Sequence, residues 1–150
     1  MNKKYKLDWI IGEKLAVSKC PDYLIDQDQI IKLGIKNILC LCYLNEVKEP
    51  ELLTKTLTFT RYPLPDHNSI EKLEINQLNE VIEILNKLIF DGPTLVHCFA
   101  GMERSPIVCI SWLMKTKNIS FIDAYEYVKG VHKETSLLNS HISLVKSYFY

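Results

Sequence analysis

Two residues that could act together on a phosphate, Cys98 and Arg104, are separated by five residues. Cys98 follows a short apolar run of β-forming residues, and Arg104 opens an apolar stretch of helical character. The loop between them contains Gly101. Strand, loop and helix in this order predict an anion cradle, because the N–H groups of such a loop and of the first helical turn can point at one place.

The residue types in this stretch predict covalent phosphate chemistry. Arg104 offers a planar fork of donors that matches two phosphate oxygens and always carries its charge. At the base of the cradle, the amide dipoles and the guanidinium favour the thiolate form of Cys98. Ser105 is placed to donate a hydroxyl hydrogen bond to the sulfur, and His97 to hold the loop through a ring N–H bond to backbone carbonyls. We therefore expect Cys98 to be a nucleophile beneath a bound phosphate.

The motif His97-Cys98-x-x-Gly101-x-x-Arg104-Ser105 resembles the signature loop of the cysteine-dependent protein tyrosine phosphatase superfamily. The Ala100-Gly101 pair and the short chain resemble its small dual-specificity branch. A buried structural cysteine with an incidental arginine is the alternative, which the extended motif disfavours. Among 16 Lys the chain has only Arg61 and Arg104, so an arginine in this loop indicates that guanidinium geometry matters there. The resemblance implies a phosphate-binding loop of His97, Phe99, Ala100, Gly101, Met102, Glu103 and Arg104.

The resemblance also implies a general acid, since the leaving oxygen needs a proton. In the family this acid is an aspartate on a loop upstream of the cysteine, between a strand and a long helix. Asp66 has that position, in an irregular loop with Pro63 and Pro65. Asp91 is the alternative acid, although its place in an Asp-Gly-Pro turn is a sufficient structural explanation for it. Asp66 could instead have only a structural role, as a turn or helix-capping residue. The predicted catalytic residues are Cys98, Arg104, Asp66 and Ser105.

The resemblance implies metal-independent hydrolysis of phosphate monoesters through a phosphocysteine intermediate, with no cofactor. The expected partner is a phosphorylated protein substrate, with phosphotyrosine first and phosphoserine or phosphothreonine second. The variable loop positions Phe99, Ala100, Met102 and Glu103 contain no lysine, which favours a single phosphate ester over a polyphosphorylated headgroup. The alternative function is a non-catalytic phosphate-binding interaction module on the same fold.

Five cysteines, an odd number, show no spacing typical of a zinc site or of a secreted disulfide framework. No metal site is therefore predicted. Cys40 and Cys42 are two residues apart on a predicted strand, so their thiols share a face. Cys42 resembles in position a cysteine that some small phosphatases pair with the nucleophile, which makes it a candidate redox partner of Cys98. Two buried strand cysteines are the plainer interpretation.

The chain of 150 residues has a formal net charge of zero, which gives no support to a nucleic-acid or membrane-surface role. Its 47% hydrophobic content is typical of a globular protein. The basic start is followed by no signal-peptide core, and no apolar run approaches membrane-spanning length. We expect a cytoplasmic protein, in the reducing setting that a catalytic thiolate requires.

The elements alternate in an α/β rhythm, which predicts one three-layer domain over residues 1–150, with a mainly parallel central sheet flanked by helices. This order resembles the dual-specificity phosphatase fold. A short hairpin or turn is expected at Trp9–Val17. The predicted strands are 35–42, 57–62 and 94–98. The first predicted helix begins at Asp26 and ends near Gly34, and the second covers 46–55. The third extends from a cap at Asn68 or Ser69 to about Phe90. Three more are predicted over 104–117, 119–129 and 138–148.

Overall fold

The computed structural model describes residues 5–148, so residues 1–4 and 149–150 of the predicted domain lie outside the described residues. Its strands are β1 Leu7–Ile11, β2 Leu15–Ser18, β3 Asn37–Cys40, β4 Thr58–Arg61 and β5 Thr94–His97. Its helices are α1 Leu24–Lys32, α2 Glu51–Thr56, α3 Ile75–Asp91, α4 Arg104–Lys117, α5 Phe121–Val131 and α6 Asn139–Tyr148. None of the helices in this part of the chain is long and apolar enough to cross a membrane.

The five strands form one sheet in the order β1-β2-β5-β3-β4. β1 pairs antiparallel with β2, and the other three pairings are parallel. The predicted mainly parallel sheet with a hairpin at its edge is therefore confirmed. The strand that precedes Cys98 lies at the centre, between β2 and β3.

Successive side chains of each strand pack into two separate cores, one on each face of the sheet, because strand side chains point alternately to the two faces. Val17, Leu39 and Val96 belong to the larger core, which α3, α4, α5 and α6 cover. Ala16, Ile38 and Leu95 belong to the smaller core on the other face, which α1 and α2 cover. Helices thus flank both faces of the sheet, and the three-layer α/β architecture is confirmed.

The helix α4 is buried along most of its length, from Arg104 to Met114. A helix that is covered on every side can hold its first turn in a fixed place. Because α4 begins at Arg104, the loop before it is fixed between the central strand β5 and this buried helix. The carboxyl ends of the parallel strands, where α/β proteins build their sites, meet at this edge of the sheet.

Several predicted boundaries differ from the structure, among them those of α3, α2 and β3. The long helix α3 begins at Ile75 instead of after Ser69, because the Ser69 hydroxyl bonds to Asp66 Oδ1 at 3.1 Å and so closes a turn. At the start of α3, Glu74 N–H donates to Gln77 Oε1 at 3.0 Å. The helix predicted from Glu46 begins at Glu51 after Pro50, and the strand predicted over 35–42 is limited to β3.

Candidate active site

The loop 98–103 between β5 and α4 has its carbonyl groups turned outward. Four of them accept hydrogen bonds from the surrounding structure: Cys98 O from the His97 ring at 3.1 Å, Phe99 O from Cys20 N–H at 3.0 Å, Gly101 O from the His132 ring at 2.5 Å, and Met102 O from Ser136 N–H at 2.8 Å. In a trans peptide the following N–H points the opposite way. The N–H groups of Phe99, Ala100, Met102 and Glu103 therefore point into the loop, as an anion cradle requires.

Gly101 gives this loop its shape. Its φ of +73° lies in the left-handed region, which glycine adopts without a steric penalty. A Cβ at this position would meet the backbone N of Lys19 at 2.8 Å and the carbonyl carbon of Ser18 at 2.9 Å. The loop is thus packed closely against the chain that follows β2, and only glycine fits.

The candidate nucleophile Cys98 lies at the base of the loop and is 2% exposed. The hydroxyl oxygen of Ser105 is 3.2 Å from its sulfur, which is within the range of a hydrogen bond to sulfur. The structure therefore brings these two residues of the motif together. Cys98 also lines an open cleft of about 1090 Å³, from which a phosphate can reach the sulfur.

The guanidinium of Arg104 is held from behind. Its Nη1 and Nη2 atoms bond to the two carboxylate oxygens of Glu46 at 3.0 and 2.8 Å. Nη1 also lies 3.2 Å from the carbonyl oxygens of Leu41 and Leu64. Among the described residues, no hydrogen bond is made by the Nε–H or by the second Nη2–H, and these two form the edge of the fork that can bind a phosphate.

The pKa values of this pair reflect their contact. Burial raises the pKa of Glu46, but the bonds from Arg104 and from Tyr43 N–H outweigh it, so the pKa is lowered overall. Burial lowers the pKa of Arg104, whereas the bond to Glu46 and the nearby sulfurs of Cys98 and Cys42 raise it above its ordinary value. The guanidinium is therefore charged whenever the pair is intact.

Asp66 lies in the same cleft as Cys98 and Arg104, with its Oδ2 3.8 Å from Arg104 Nη2. Its Oδ1 accepts hydrogen bonds from Asn68 N–H at 2.9 Å and from Ser69 Oγ. Burial raises the pKa of this carboxyl, but these bonds and the charge of Arg104 lower it overall. The alternative acid, Asp91, ends α3 ahead of β5, at the opposite end of that strand from Cys98.

The loop that carries Asp66 contacts the phosphate loop through an ion pair. His67 Nδ1 lies 2.5 Å from Glu103 Oε1, and the bond raises the pKa of His67. Glu103 immediately precedes α4. This contact joins the candidate acid loop to the cradle, which gives Glu103 a structural part that the sequence does not reveal.

The cleft is apolar at its rim and carries few cations. Phe99 and Met102 are 56% and 41% exposed, and Ile70 is fully exposed. The basic side chains in its lining are Arg104 and His67, and the carboxylates are Glu46, Asp66, Glu71 and Glu103. Strongly anionic ligands are therefore disfavoured, while one phosphate on an apolar group suits the cleft.

Cys42, the candidate redox partner, is fully buried, and both Cys42 and Cys98 are free thiols. The structure brings Cys42 together with Cys40 and His97, with one ligand atom from each within 4.8 Å of the others. Sequence spacing does not reveal this group, because its members come from two strands that are neighbours only in the folded sheet.

Two residues of the site were missed by sequence reasoning. Glu46, 58 residues before Arg104, orients the guanidinium, and no local pattern identifies it. His132 bonds the carbonyl of Gly101 and, through Nδ1, Asp8 Oδ2 at 2.7 Å. It lies directly after α5, and no spacing pattern in the sequence assigns it to the site.

A cysteine-bearing anion loop at the carboxyl edge of a parallel sheet, followed by a buried helix, defines the cysteine-dependent phosphatase class. Residues 19–149 match the family model described as dual specificity phosphatase, catalytic domain, and the chain belongs to that family. Human dual specificity protein phosphatase 8 is 33% identical over 107 residues, which span 71% of this chain and 16% of that protein. Mouse dual specificity protein phosphatase 14 is 35% identical over 59% of this chain and 45% of that protein. The chain thus matches less than half the length of these relatives.

Solved structures with the same fold have lower sequence identity. Tk-PTP in its active form superposes with a TM-score of 0.82 at 20% identity, over 94% of each chain. The human tyrosine phosphatase-like serine/threonine/tyrosine-interacting protein gives a TM-score of 0.81 at 19% identity, over 97% of this chain and 96% of that one. At these identities the likeness concerns the fold alone.

Proposed function

We propose that this protein hydrolyses phosphate monoesters through a phosphocysteine intermediate, without a metal ion. The observation that supports it best is that Asp66, which lies 32 residues before Cys98 in the chain, lines the same cleft as Cys98 and Arg104. The inward N–H groups of the phosphate loop and the free edge of the Arg104 fork provide positive potential above the sulfur.

In the first step, the Cys98 thiolate attacks phosphorus and the bond to the leaving oxygen breaks. Asp66 gives its proton to that oxygen, so that an alcohol or phenol leaves. The equatorial oxygens of the phosphoryl group are held by Arg104 and by the loop amides, whose donors are already fixed by the outward carbonyl bonds.

In the second step, the Asp66 carboxylate takes a proton from a water molecule as its oxygen attacks phosphorus. The S–P bond breaks, and the electron pair returns to the sulfur. The Ser105 hydroxyl, 3.2 Å from that sulfur, stabilises the departing thiolate by donating a hydrogen bond. Inorganic phosphate then leaves, and the enzyme is restored.

Phosphotyrosine in a protein is the substrate that the cleft favours, with phosphoserine and phosphothreonine as second candidates. An aryl ring can pack on the exposed side chains of Phe99 and Met102 at the rim. The acidic side chains in the lining oppose ligands with several phosphates. Basic residues near the phosphotyrosine of a substrate peptide would complement the same acidic groups.

The test is turnover of an aryl phosphate from pH 4 to 8, with a reductant and a chelator, for the wild type, Cys98→Ser and Asp66→Asn. We expect turnover by the wild type, none by Cys98→Ser and slowed turnover by Asp66→Asn. Phosphotyrosine and phosphoserine peptides of one sequence then measure specificity. A wild type that binds phosphate but turns nothing over would contradict the proposal and favour an interaction module.

A further inference from the structure

Two thiols and an imidazole form a buried cluster behind the phosphate loop. The sulfurs of Cys40 and Cys42 and a ring nitrogen of His97 all lie within 4.8 Å of one another. Each of the three residues is at most 1% exposed. Cys98 packs into the core that contains Val96, whereas His97 and Cys40 come two residues after Leu95 and Ile38 and so share the face of the opposite core. The cluster is thus separate from the catalytic sulfur.

Strand pairing explains why these residues meet. β3 and β5 run parallel, and Cys40 is the partner of His97 in their register. Their side chains therefore emerge side by side on one face of the sheet. Cys42 lies two residues after Cys40, just beyond the end of β3, and its sulfur is within 4.8 Å of the ligand atoms of Cys40 and His97.

The hydrogen bonding of His97 leaves one nitrogen available. Nδ1 lies 3.1 Å from the carbonyl oxygen of Cys98, which can only accept, so Nδ1 carries the hydrogen. In the neutral ring, Nε2 then has a free lone pair. Nε2 is buried and has no hydrogen-bond partner among the described residues. A histidine that donates one N–H to a backbone carbonyl and presents its other nitrogen is the usual arrangement of a metal-binding histidine.

The sulfurs are also suited to a cation. The sulfurs of Cys40 and Cys42 lie within 4.8 Å of each other, so one ion can contact both. A metal ion would bind both sulfurs as thiolates, and the two thiol protons would be released to solvent. Arg61, whose Nη1 bonds to the carbonyl of Cys42 at 2.8 Å, adds one positive charge at the edge of the cluster. The anionic site then stays near neutrality with a monovalent or divalent ion.

We propose that Cys40, Cys42 and His97 bind one thiophilic d10 cation, Zn²⁺ or Cu⁺. Two thiolates and an imidazole are the donor set that soft and borderline metals prefer over Mg²⁺ or Ca²⁺. The ion would tie the ends of β3 and β5 together behind the phosphate loop. It would leave the sulfur of Cys98 free for the proposed catalysis.

The experiment measures metal binding by the full chain in a non-thiol reductant, with Zn²⁺ and Cu⁺ in separate chelator competitions. We expect one ion per chain for at least one of the two metals. The separate Zn²⁺ and Cu⁺ competitions show which metal binds. The bound protein should also unfold at a higher temperature, because the ligand binds the folded state. No binding in either arm would overturn the proposal.

Variants assign the ligands. Cys40→Ser and Cys42→Ser should each weaken binding by more than about 100-fold, beyond the usual effect of losing an outer-shell partner. Cys98→Ser and Cys109→Ala are the matched controls and should bind the ion as the wild type does. Unchanged binding by Cys40→Ser, or loss of binding by Cys98→Ser, would place the ion elsewhere and overturn the proposal.

X-ray absorption of the loaded wild type keeps the test decisive if the buried variants fail to fold. The expected ligands are two sulfurs and one imidazole nitrogen, with a Zn–S distance of about 2.3 Å if the metal is zinc. A shell of oxygen and nitrogen, or one with a single sulfur, would contradict the assignment.

Discussion

The imidazole of His132 lies between two acceptors, with its Nε2 2.5 Å from the carbonyl oxygen of Gly101 and its Nδ1 on the carboxylate of Asp8. Because both partners are acceptors, the ring makes both bonds only when each nitrogen carries a hydrogen. His132 therefore links the first strand of the sheet to the phosphate loop. It turns the Gly101 carbonyl outward and the next N–H inward.

Replacing His132 with Gln is expected to weaken this link. The KM for an aryl phosphate and the inhibition constant of inorganic phosphate should rise about tenfold, since a hydrogen bond with a charged partner is lost. The value of kcat should change less, because His132 is a positioning residue that does not touch the phosphate. Lys133→Gln, at the exposed neighbour, is the control. A tenfold fall in kcat with an unchanged KM would contradict the assignment of His132 as a positioning residue.

Replacing Gly101 with Ala tests the loop more severely. The added Cβ would meet the backbone at Lys19 at 2.8 Å, and the left-handed φ disfavours any side chain. The loop must shift, so phosphate binding and turnover should both fall strongly. Gly12→Ala is the control, because nothing lies within 4 Å of the Cβ it would add. Wild-type activity of Gly101→Ala would show that the loop tolerates a different shape.

Glu46 is expected to act through Arg104. In Glu46→Gln, the two-bond ion pair is lost and the guanidinium is free to turn, so kcat/KM should fall by about 100-fold, the cost of a misplaced catalytic group. Glu71→Gln, which changes an acid of the same cleft that is not bonded to Arg104, is the control. If both variants lose the same activity, the charge of the cleft and not the orientation of Arg104 is responsible.

The local part of this site follows from the sequence, and the distant part does not. Cys98, Ser105 and Arg104 fall within one strand-loop-helix stretch, so their spacing alone predicts their proximity. Glu46 meets Arg104 across 58 residues. Cys40 meets His97 because β5 inserts between β2 and β3, an order that strand periodicity does not determine.

At the start of α3, Ser69 can either cap the helix or close a turn, and its capping propensity does not decide between the two. Ser69 is a good capping residue, but its hydroxyl closes a turn with Asp66, and the helix begins at Ile75. Since Asp66 is the proposed acid, Ser69, which the sequence predicts as a helix cap, instead shapes the acid loop.

General-acid catalysis by Asp66 predicts a dependence on the leaving group. Asp66 must be protonated to act, and its pKa is lowered, so turnover should decrease as pH rises above that pKa. In Asp66→Asn this decrease should disappear. The variant should lose about 100-fold or more on an alkyl phosphate, whose leaving oxygen needs the proton, and less on a nitrophenyl phosphate. Equal losses on both substrates would assign Asp66 to binding instead.

The ion pair between His67 and Glu103 predicts a measurable titration. The hydrogen bond and charge of Glu103 raise the pKa of His67, so the pair is complete below the pKa of an isolated histidine and is lost as pH rises through the raised value. In Glu103→Gln, the pKa of His67 should return toward about 6.5. The C2 proton of His67 reports this by NMR, with Glu71→Gln as the control. An unchanged titration would show that the acid loop is not held by Glu103 in solution.

Oxidation tests Cys42 as the redox partner of Cys98. Peroxide converts the Cys98 thiolate to a sulfenic acid, and attack by the Cys42 sulfur forms a disulfide and releases water. We expect a Cys42–Cys98 peptide in non-reducing maps, reversible inactivation in the wild type and irreversible inactivation in Cys42→Ser. Cys109→Ala should behave as the wild type. Because Cys40 also adjoins Cys42, a map that shows only a Cys40–Cys42 linkage would contradict the prediction and identify the buried pair as the oxidation site.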